Sequence, residues 1–266
     1  MSYYKISLKM IASKIIESYK RFKLLKKAKI SIINKNKLFL EFHNISGFYL
    51  PYGSKLNIDR RQLFMVSKDL SKWLLKKYTK DNVQLKKTDI VIDCGAFVGG
   101  FSIAAANFGV KTIYSIEPSS KNYDCLKSNI TYYNYKNCIT PLNVGLDSKE
   151  GELKLNLSKS GCDDSFLKPD EGDLNSFEIV KTTTLKNIIE EYEINPKNLY
   201  LKVEAEGFEP EVILGLKNYT PRVIVVDISS ERDGLSPIKE IESHLQNIGY
   251  VTENTKKCLF AYNNLK

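Results

Sequence analysis

From residue 88 onward the apolar positions follow two alternating rhythms. Short runs dense in Ile, Val and Leu are separated by stretches in which apolar residues recur every three or four positions. The runs predict strands over residues 89–95 (DIVIDCG), 112–118 (TIYSIEP), 138–146 (CITPLNVGL), 199–205 (LYLKVEA) and 222–229 (RVIVVDIS). The longer period predicts helices over 99–108, 120–133, 185–193, 209–216 and 237–249. Strands that alternate with helices specify a parallel sheet covered on both faces. An accessory strand, 151–158, and a polar loop, 158–175, interrupt the alternation, and strands 250–254 and 258–264 close the chain around a turn at Thr255-Lys256. The expected fold is α/β and doubly wound, Rossmann-like, with a mostly parallel sheet and a terminal antiparallel hairpin.

The first 80 residues read differently. Leu8, Ile11, Ile15, Tyr19 and Phe22 recur at helical spacing among lysines, predicting a basic amphipathic helix over residues 5–27. Two strands, 29–36 and 37–44, join through a polar turn at Asn34 to Asn36, and a Gly- and Pro-containing connection leads to a helix over 60–78, with Asp59 as its cap and Trp73 on its apolar side. The predicted organisation is a small N-terminal helix and hairpin subdomain, 1–80, and a larger domain, 81–266.

Charge sharpens that division. The net charge of +9 is an average of two unlike parts: residues 1–90 hold 21 Lys/Arg against 6 Asp/Glu, residues 91–266 hold 19 against 25. This argues for a basic leading segment on a mildly acidic body, and against one uniformly basic nucleic-acid surface. The basic helix packs on the body with a solvated lysine face, or lies on an anionic membrane through residues 1–30. No apolar run reaches the roughly 20 residues of a membrane span, and lysines interrupt the N-terminus too often for a signal peptide. The expected location is the cytoplasm, with the inner face of the membrane as the place of any peripheral contact. Five scattered cysteines without a C-x-x-C pair suggest neither a disulfide framework nor a zinc cluster.

Candidate chemistry gathers at strand ends. In VIDCGAFVGGFS, Asp93 ends a strand, Gly95 makes the turn, and Gly99 with Gly100 opens a helix. Glycine lets a ligand approach the backbone, and open parallel sheets bind ligands at the carboxyl ends of their strands. Position 97 is Phe, so the glycines stand as G-x-x-x-G, unlike the G-x-G-x-x-G that cradles a pyrophosphate. Glu117, ending the next strand, is placed to accept both hydroxyl protons of a ribose. The stretch LKVEAEGFE carries Glu204, Glu206 and Glu209 directly after an apolar run. Alternation along an extended strand would group Lys202, Glu204 and Glu206 on one side, facing a ligand or forming a surface salt-bridge cluster.

These motifs, in this order, resemble the FkbM family of S-adenosylmethionine-dependent methyltransferases. The resemblance runs from about Asp59 to Val226 through IDCGAFVGGF, SIEPSSKNYDCLKSN, NVGLDSKEGELKL, TTTLKNI and LKVEAEGFEPEVILGL. It implies the class I methyltransferase fold and S-adenosyl-L-methionine held by Asp93, Gly95, Ala96, Phe97, Gly99, Glu117, Pro118 and Asn143. It further implies transfer of a methyl group to a hydroxyl of a sugar, glycan or other small molecule. Two positions depart from the family pattern: Phe97 stands where Asn is usual, and Glu204 where Asp is usual.

An alcohol attacks a methyl group poorly until its proton begins to leave, so a base is expected. His43 and His244 fit structural or exposed positions better than a catalytic one. Glu204 is then the expected base, with Glu206 orienting substrate or raising the pKa of its neighbour, and Lys202 offsetting charge or holding a hydroxyl. Asp227, ending the strand VVDIS, could join Glu204 around a divalent cation, although no third ligand is evident. The loop 158–175 has the length of a lid. Two rivals remain: a nucleic-acid methyltransferase, disfavoured because neither N/D-P-P-Y/F/W nor Pro-Cys occurs, and a non-catalytic methyltransferase-like module that binds a partner or membrane through its basic segment.

Overall fold

A computed structural model describes residues 28–42, 46–51, 70–158, 161–168, 172–232 and 234–263. The helix expected over 5–27, Asp59, His43 and the side chain of Trp73 lie outside the described residues.

Three antiparallel strands come first: β1 (Ala28–Asn34), β2 (Lys37–Phe42) and β3 (Ser46–Pro51). β3 occupies part of what the sequence suggested was a connection. Gly47 obscured the pattern, but Phe48 and Leu50 alternate inward opposite Leu40 and Leu38 and are fully buried. Helix α1 (Leu70–Tyr78) follows.

The body alternates β4 (Ile90–Cys94), α2 (Gly100–Phe108), β5 (Thr112–Ile116), α3 (Ser120–Tyr132) and β6 (Ile139–Leu142). After β7 (Gly145–Leu146), β8 (Gly151–Ser158) and β9 (Gly172–Thr183), it resumes with α4 (Leu185–Glu191), β10 (Leu199–Val203), α5 (Glu209–Leu214) and β11 (Val223–Asp227). It ends with α6 (Ile238–Asn247), β12 (Tyr250–Asn254) and β13 (Cys258–Asn263).

Seven strands form the central sheet in the order β12-β13-β11-β10-β4-β5-β6, and β13 alone runs against the others. The pleat divides its core in two. Val91, Ile113, Tyr200 and Val225 point to the face covered by α2 and α3, while Ile92, Ile116, Leu201 and Val226 point to the face covered by α4, α5 and α6. Burial on both faces explains why these strands read as predominantly apolar runs.

The loop expected over 158–175 is instead interrupted by the long strand β9, which pairs antiparallel with β8 and parallel with β7 in a small outlying sheet. β9 escaped detection because its sheet is covered on one side only: Phe177 and Ile179 remain exposed while Val180 turns in. The N-terminal sheet packs on α3, where Asn129 exchanges hydrogen bonds with the backbone of Tyr49 (2.7 and 2.9 Å) and Lys37 pairs with Asp124 (2.5 Å). Leu38, Leu40, Phe48 and Leu50 belong to the same apolar cluster as α2 and α3, so described parts of 1–80 and 81–266 share one core.

Candidate active site

The carboxyl ends of β4, β5 and β10 open on one cleft. Its wall includes Gly95, Phe97, Glu117, Pro118, Glu204 and Glu206, joined by Leu74, Lys77 and Tyr78 of α1 and by Gly161, Cys162, Asp164, Ser165 and Phe166 from the β8–β9 connection.

The Gly95 bend has a steric cause. Its φ is +68°, and a Cβ there would lie 1.7 Å from the carbonyl oxygen of Glu204, so only glycine allows the ends of β4 and β10 to meet. Lys202 fixes the same junction from beneath. Its ammonium donates to the carbonyls of Cys94 (3.1 Å) and Gly95 (2.9 Å) and pairs with Asp93 (2.9 Å), whose other oxygen accepts from Ser102 Oγ (2.6 Å). Asp93 and Lys202 are 0% and 2% exposed, which puts both below the cleft surface. Asp93 therefore holds the lysine, whereas the sequence suggested that it holds the cofactor. Of the two roles expected of Lys202, it fills the first, offsetting charge on Glu204 at 3.4 Å, while its hydrogen bonds go to the backbone and none to a substrate position.

Glu204 does face the cleft, with 31% of its side chain accessible. Its neighbours differ from those expected. Lys77 Nζ lies 2.6 Å from one oxygen, Tyr78 Oη donates to the other at 2.5 Å, and Lys202 approaches at 3.4 Å. Burial alone would raise its pKa, but the two ammonium groups and the hydrogen bonds from Lys77 and Tyr78 outweigh burial and hold the carboxyl well below the usual carboxylate range. The upward shift expected from a Glu204–Glu206 pair is thus reversed. Extended geometry stops at Val203, and Glu206 has a left-handed φ of 49°, so the alternation that would have set 202, 204 and 206 on one side breaks before 206. Glu206 still lines the cleft, and its carbonyl accepts from Ser165 Oγ (2.7 Å).

Lys77 also decides the cation question. It sits 2.9 Å from Asp227 as well as 2.6 Å from Glu204, so an ammonium stands between the two carboxylates suggested for a divalent ion. These residues do not fit a metal, and among the described residues no group of three His, Cys, Asp or Glu is placed to hold one.

Around Glu117 the picture is different. The side chain is 4% exposed and accepts from Phe97 N (2.8 Å), Ser119 N (3.0 Å) and Asn122 Nδ2 (3.3 Å). Burial, with a further push from Asp164, raises its pKa to about 7 despite these donors. Phe97, at φ 51°, thus contributes a backbone N–H at the position where Asn is usual in the family. Ala96 N donates to Ile116 O (3.0 Å), Gly99 begins α2 with a left-handed backbone, and Asn143 Nδ2 ties down the carbonyls of Glu117 (2.9 Å) and Pro118 (3.0 Å). These three shape the bend from outside the cleft, while Pro118 lines it. Glu209 lies behind the 204–207 turn, accepting from Ala205 N (2.7 Å) and Gly207 N (3.3 Å), and burial pushes it up to about 7.

Sequence reasoning overlooked Lys77, Tyr78, Asn122 and Asp164. The first two sit near the end of a helix read only for its tryptophan, and nothing local distinguishes Lys77 from the lysines around it. Asn122 stood inside a block that carried the resemblance, SIEPSSKNYD, and that block was its one signal.

A doubly wound sheet with one reversed strand, and a ligand cleft at the strand ends beside a glycine bend, defines the class I S-adenosylmethionine-dependent methyltransferase fold. Residues 93–252 match the methyltransferase FkbM domain, and the chain belongs to that family. No curated protein matches the sequence. Among solved structures, the chain is similar to methyltransferase FkbM from Methylobacillus flagellatus KT, at 13% identity and a TM-score of 0.50 over 73% of this chain and 48% of that one. It thus spans about half the length of that protein. It is also similar to magnesium protoporphyrin IX methyltransferase from Synechocystis PCC 6803 with bound SAM, at 15% identity and a TM-score of 0.43 over 73% and 76% of the two chains. A third likeness is to M. jannaschii TYW2 in complex with AdoMet, at 14% identity and a TM-score of 0.42 over 88% of each chain.

Proposed function

We propose that the protein is an S-adenosylmethionine-dependent O-methyltransferase acting on a hydroxyl of a sugar, glycan or other small molecule. The observation that carries this reading is the meeting, in one cleft, of a carboxylate with an unfilled acceptor position (Glu117), a bend whose backbone is bare of side chain (Gly95) and a carboxylate whose charged form two ammonium groups favour (Glu204). The residues fit the cofactor. Its ribose hydroxyls are donors and Glu117 accepts; its sulfonium and ammonium are cationic, and beside Glu204, which Lys77 and Lys202 already offset, the cleft presents the carboxylates of Glu117, Asp164 and Glu206. The acceptor class follows the family resemblance, an associational warrant. Contact with an anionic membrane through residues 1–30 would suit a lipid-linked glycan.

When bound, S-adenosylmethionine supplies a sulfonium methyl group for in-line displacement by oxygen. The protein supplies alignment, which can contribute about 7 to 11 kcal/mol. Glu204 accepts the hydrogen bond of the incoming hydroxyl, and Lys77 and Tyr78 hold the carboxylate still while it does so. So weak a base removes no proton in advance. An alcohol oxygen becomes strongly acidic only once it is being alkylated, so Glu204 would take up its proton late in the transfer.

Equilibrium dialysis with labelled S-adenosylmethionine, followed by methyl transfer to a panel of sugar alcohols and glycans, tests the reading. Glu204→Gln should bind the cofactor within about threefold of the parent and lose methyl transfer by about 100-fold. Absence of cofactor binding in the parent chain would leave the non-catalytic module ahead.

A further inference from the structure

The acceptor positions around Glu117 do not suffice for the role the sequence gave it. A carboxylate offers about four acceptor positions. Oε1 of Glu117 already receives Ser119 N and Asn122 Nδ2, and Oε2 receives Phe97 N, which leaves room for about one more donor. A ribose brings two hydroxyls. Asp164, on the connection between β8 and β9, lines the same cleft. Its Oδ1 is filled by Ser158 N (2.7 Å) and Ser158 Oγ (3.0 Å), Oδ2 receives a long contact from Asn122 Nδ2 (3.4 Å), and the Ser119 hydroxyl also stands close enough to favour the charged form. Asn122 joins the two acids and also donates to Gly161 O (2.8 Å). Its own Oδ1 is buried and has no hydrogen-bond partner among the described residues, in a residue only 2% exposed that faces the cleft. A buried polar atom left unpaired is costly, and this one adds an acceptor to a wall already rich in acceptors.

Electrostatics point the same way. Among the described residues no ion pair reaches Glu117 or Asp164. Burial raises Asp164 to about 6 against the pull of donors from Ser158 and Ser119, and Glu178 of β9 adds like charge, as Asp164 does to Glu117. This wall has neutral donors but no cation among the described residues, and a polyhydroxyl ligand would add donors to the two carboxylates.

We propose that Asp164 is a cofactor-binding residue that shares the ribose hydroxyls of S-adenosylmethionine with Glu117, with Asn122 bridging the two carboxylates. The assignment rests on the methyltransferase reading. It also gives the β8–β9 connection a definite role, which is to deliver the second acceptor. Gly161, at φ +74°, lets the chain pass close over Asn122.

Isothermal titration calorimetry of the full chain with S-adenosylhomocysteine, its 2′-deoxy and 3′-deoxy counterparts and S-inosylhomocysteine tests it. At pH 8, Asp164→Asn should weaken S-adenosylhomocysteine about tenfold or more, as expected for a lost hydrogen bond to a charged group. One deoxy compound should bind the parent chain correspondingly weakly yet lose little more with Asp164→Asn, because the two changes remove the same bond. Parent affinity should fall from pH 8 to pH 5 as the carboxyls take up protons, and the variant should fall less. Equal binding of S-adenosylhomocysteine and both deoxy compounds by the parent chain would overturn the proposal without any variant, as would unchanged affinity in a folded Asp164→Asn protein. A loss confined to the inosyl compound would assign Asp164 to the exocyclic amine and overturn the sugar assignment. Failure of the parent to bind S-adenosylhomocysteine at every pH would refute the methyltransferase reading itself, and this assignment with it.

Discussion

Glu204 and Glu117 are glutamates at the ends of neighbouring parts of one sheet, both opening on the same cleft, yet their protonation is driven in opposite directions. Glu204 is enclosed by cations: Lys77 and Lys202 approach it, and beyond them lie Asp227 and Asp93, so positive and negative groups alternate through the floor. Glu117 is enclosed by neutral donors and a second acid, Asp164, and its pKa moves up to about 7. Burial pushes both upward, so the sign of the shift is set by what stands within hydrogen-bond reach. The floor is electrostatically complete and holds its shape without help. The wall is incomplete, which is the condition expected of a surface that awaits a ligand.

Breaking the floor should have the largest effect. Lys202→Met removes the ammonium that compensates fully buried Asp93 and holds two strand-end carbonyls, and should cost about 3 to 5 kcal/mol in urea denaturation. Adding Asp93→Asn to it should recover part of that loss; a double variant as unstable as the single would show that the pair is not the cause. Lys77→Met should cost less, about 2 kcal/mol near neutral pH, because Glu204 is partly accessible and keeps Lys202 and Tyr78. Its pH dependence carries the sign. A carboxyl with a depressed folded pKa stabilises the fold above its unfolded pKa, near 4.5, and that contribution fades as the pH falls. The difference between Lys77→Met and the parent should therefore be full at pH 7 and shrink toward pH 3.

The wall should respond in the opposite sense. Carboxyls whose folded pKa is raised contribute stability below their unfolded values, and that contribution is lost as pH rises through about 6 for Asp164 and about 7 for Glu117. Without ligand, Asp164→Asn should thus gain about 1 kcal/mol over the parent at pH 8 and nothing at pH 4, measured by the same denaturation. A loss at pH 8 would mean that the wall is already compensated and would erase the contrast. Tyr78→Phe is the smallest change: it removes one hydrogen bond from a carboxylate that keeps its ammonium partner, and should cost about 1 kcal/mol with little change in cofactor affinity.

How legible each part was follows from the same physics. Strands β4, β5, β10 and β11 stood out because burial on both faces favours apolar side chains at most positions, and the glycine bend stood out because its steric need leaves no alternative residue. β3 and β9 did not: one carries Gly47 beside its inward residues, and the other lies in a small sheet that leaves Phe177 and Ile179 in solvent. At the site, strand-end carboxylates could be recognised as a group, because a charge directly after an apolar run requires a partner. Which partner could not be read from position. Lys202 was grouped with Glu204 and does approach it, but it also turns under the bend to Asp93, a partner that alternation did not suggest. Lys77 met Glu204 across 127 positions of chain.

The sequence by itself determined the alternation of strands and helices, the bend between β4 and α2, and the acids that end the strands, since each of these is written in residues close together along the chain. Tertiary structure alone decided which carboxylates acquire cations and which acquire only one another. Coulombic interaction acts through space, and α1 and the β8–β9 connection reach the cleft from far along the chain.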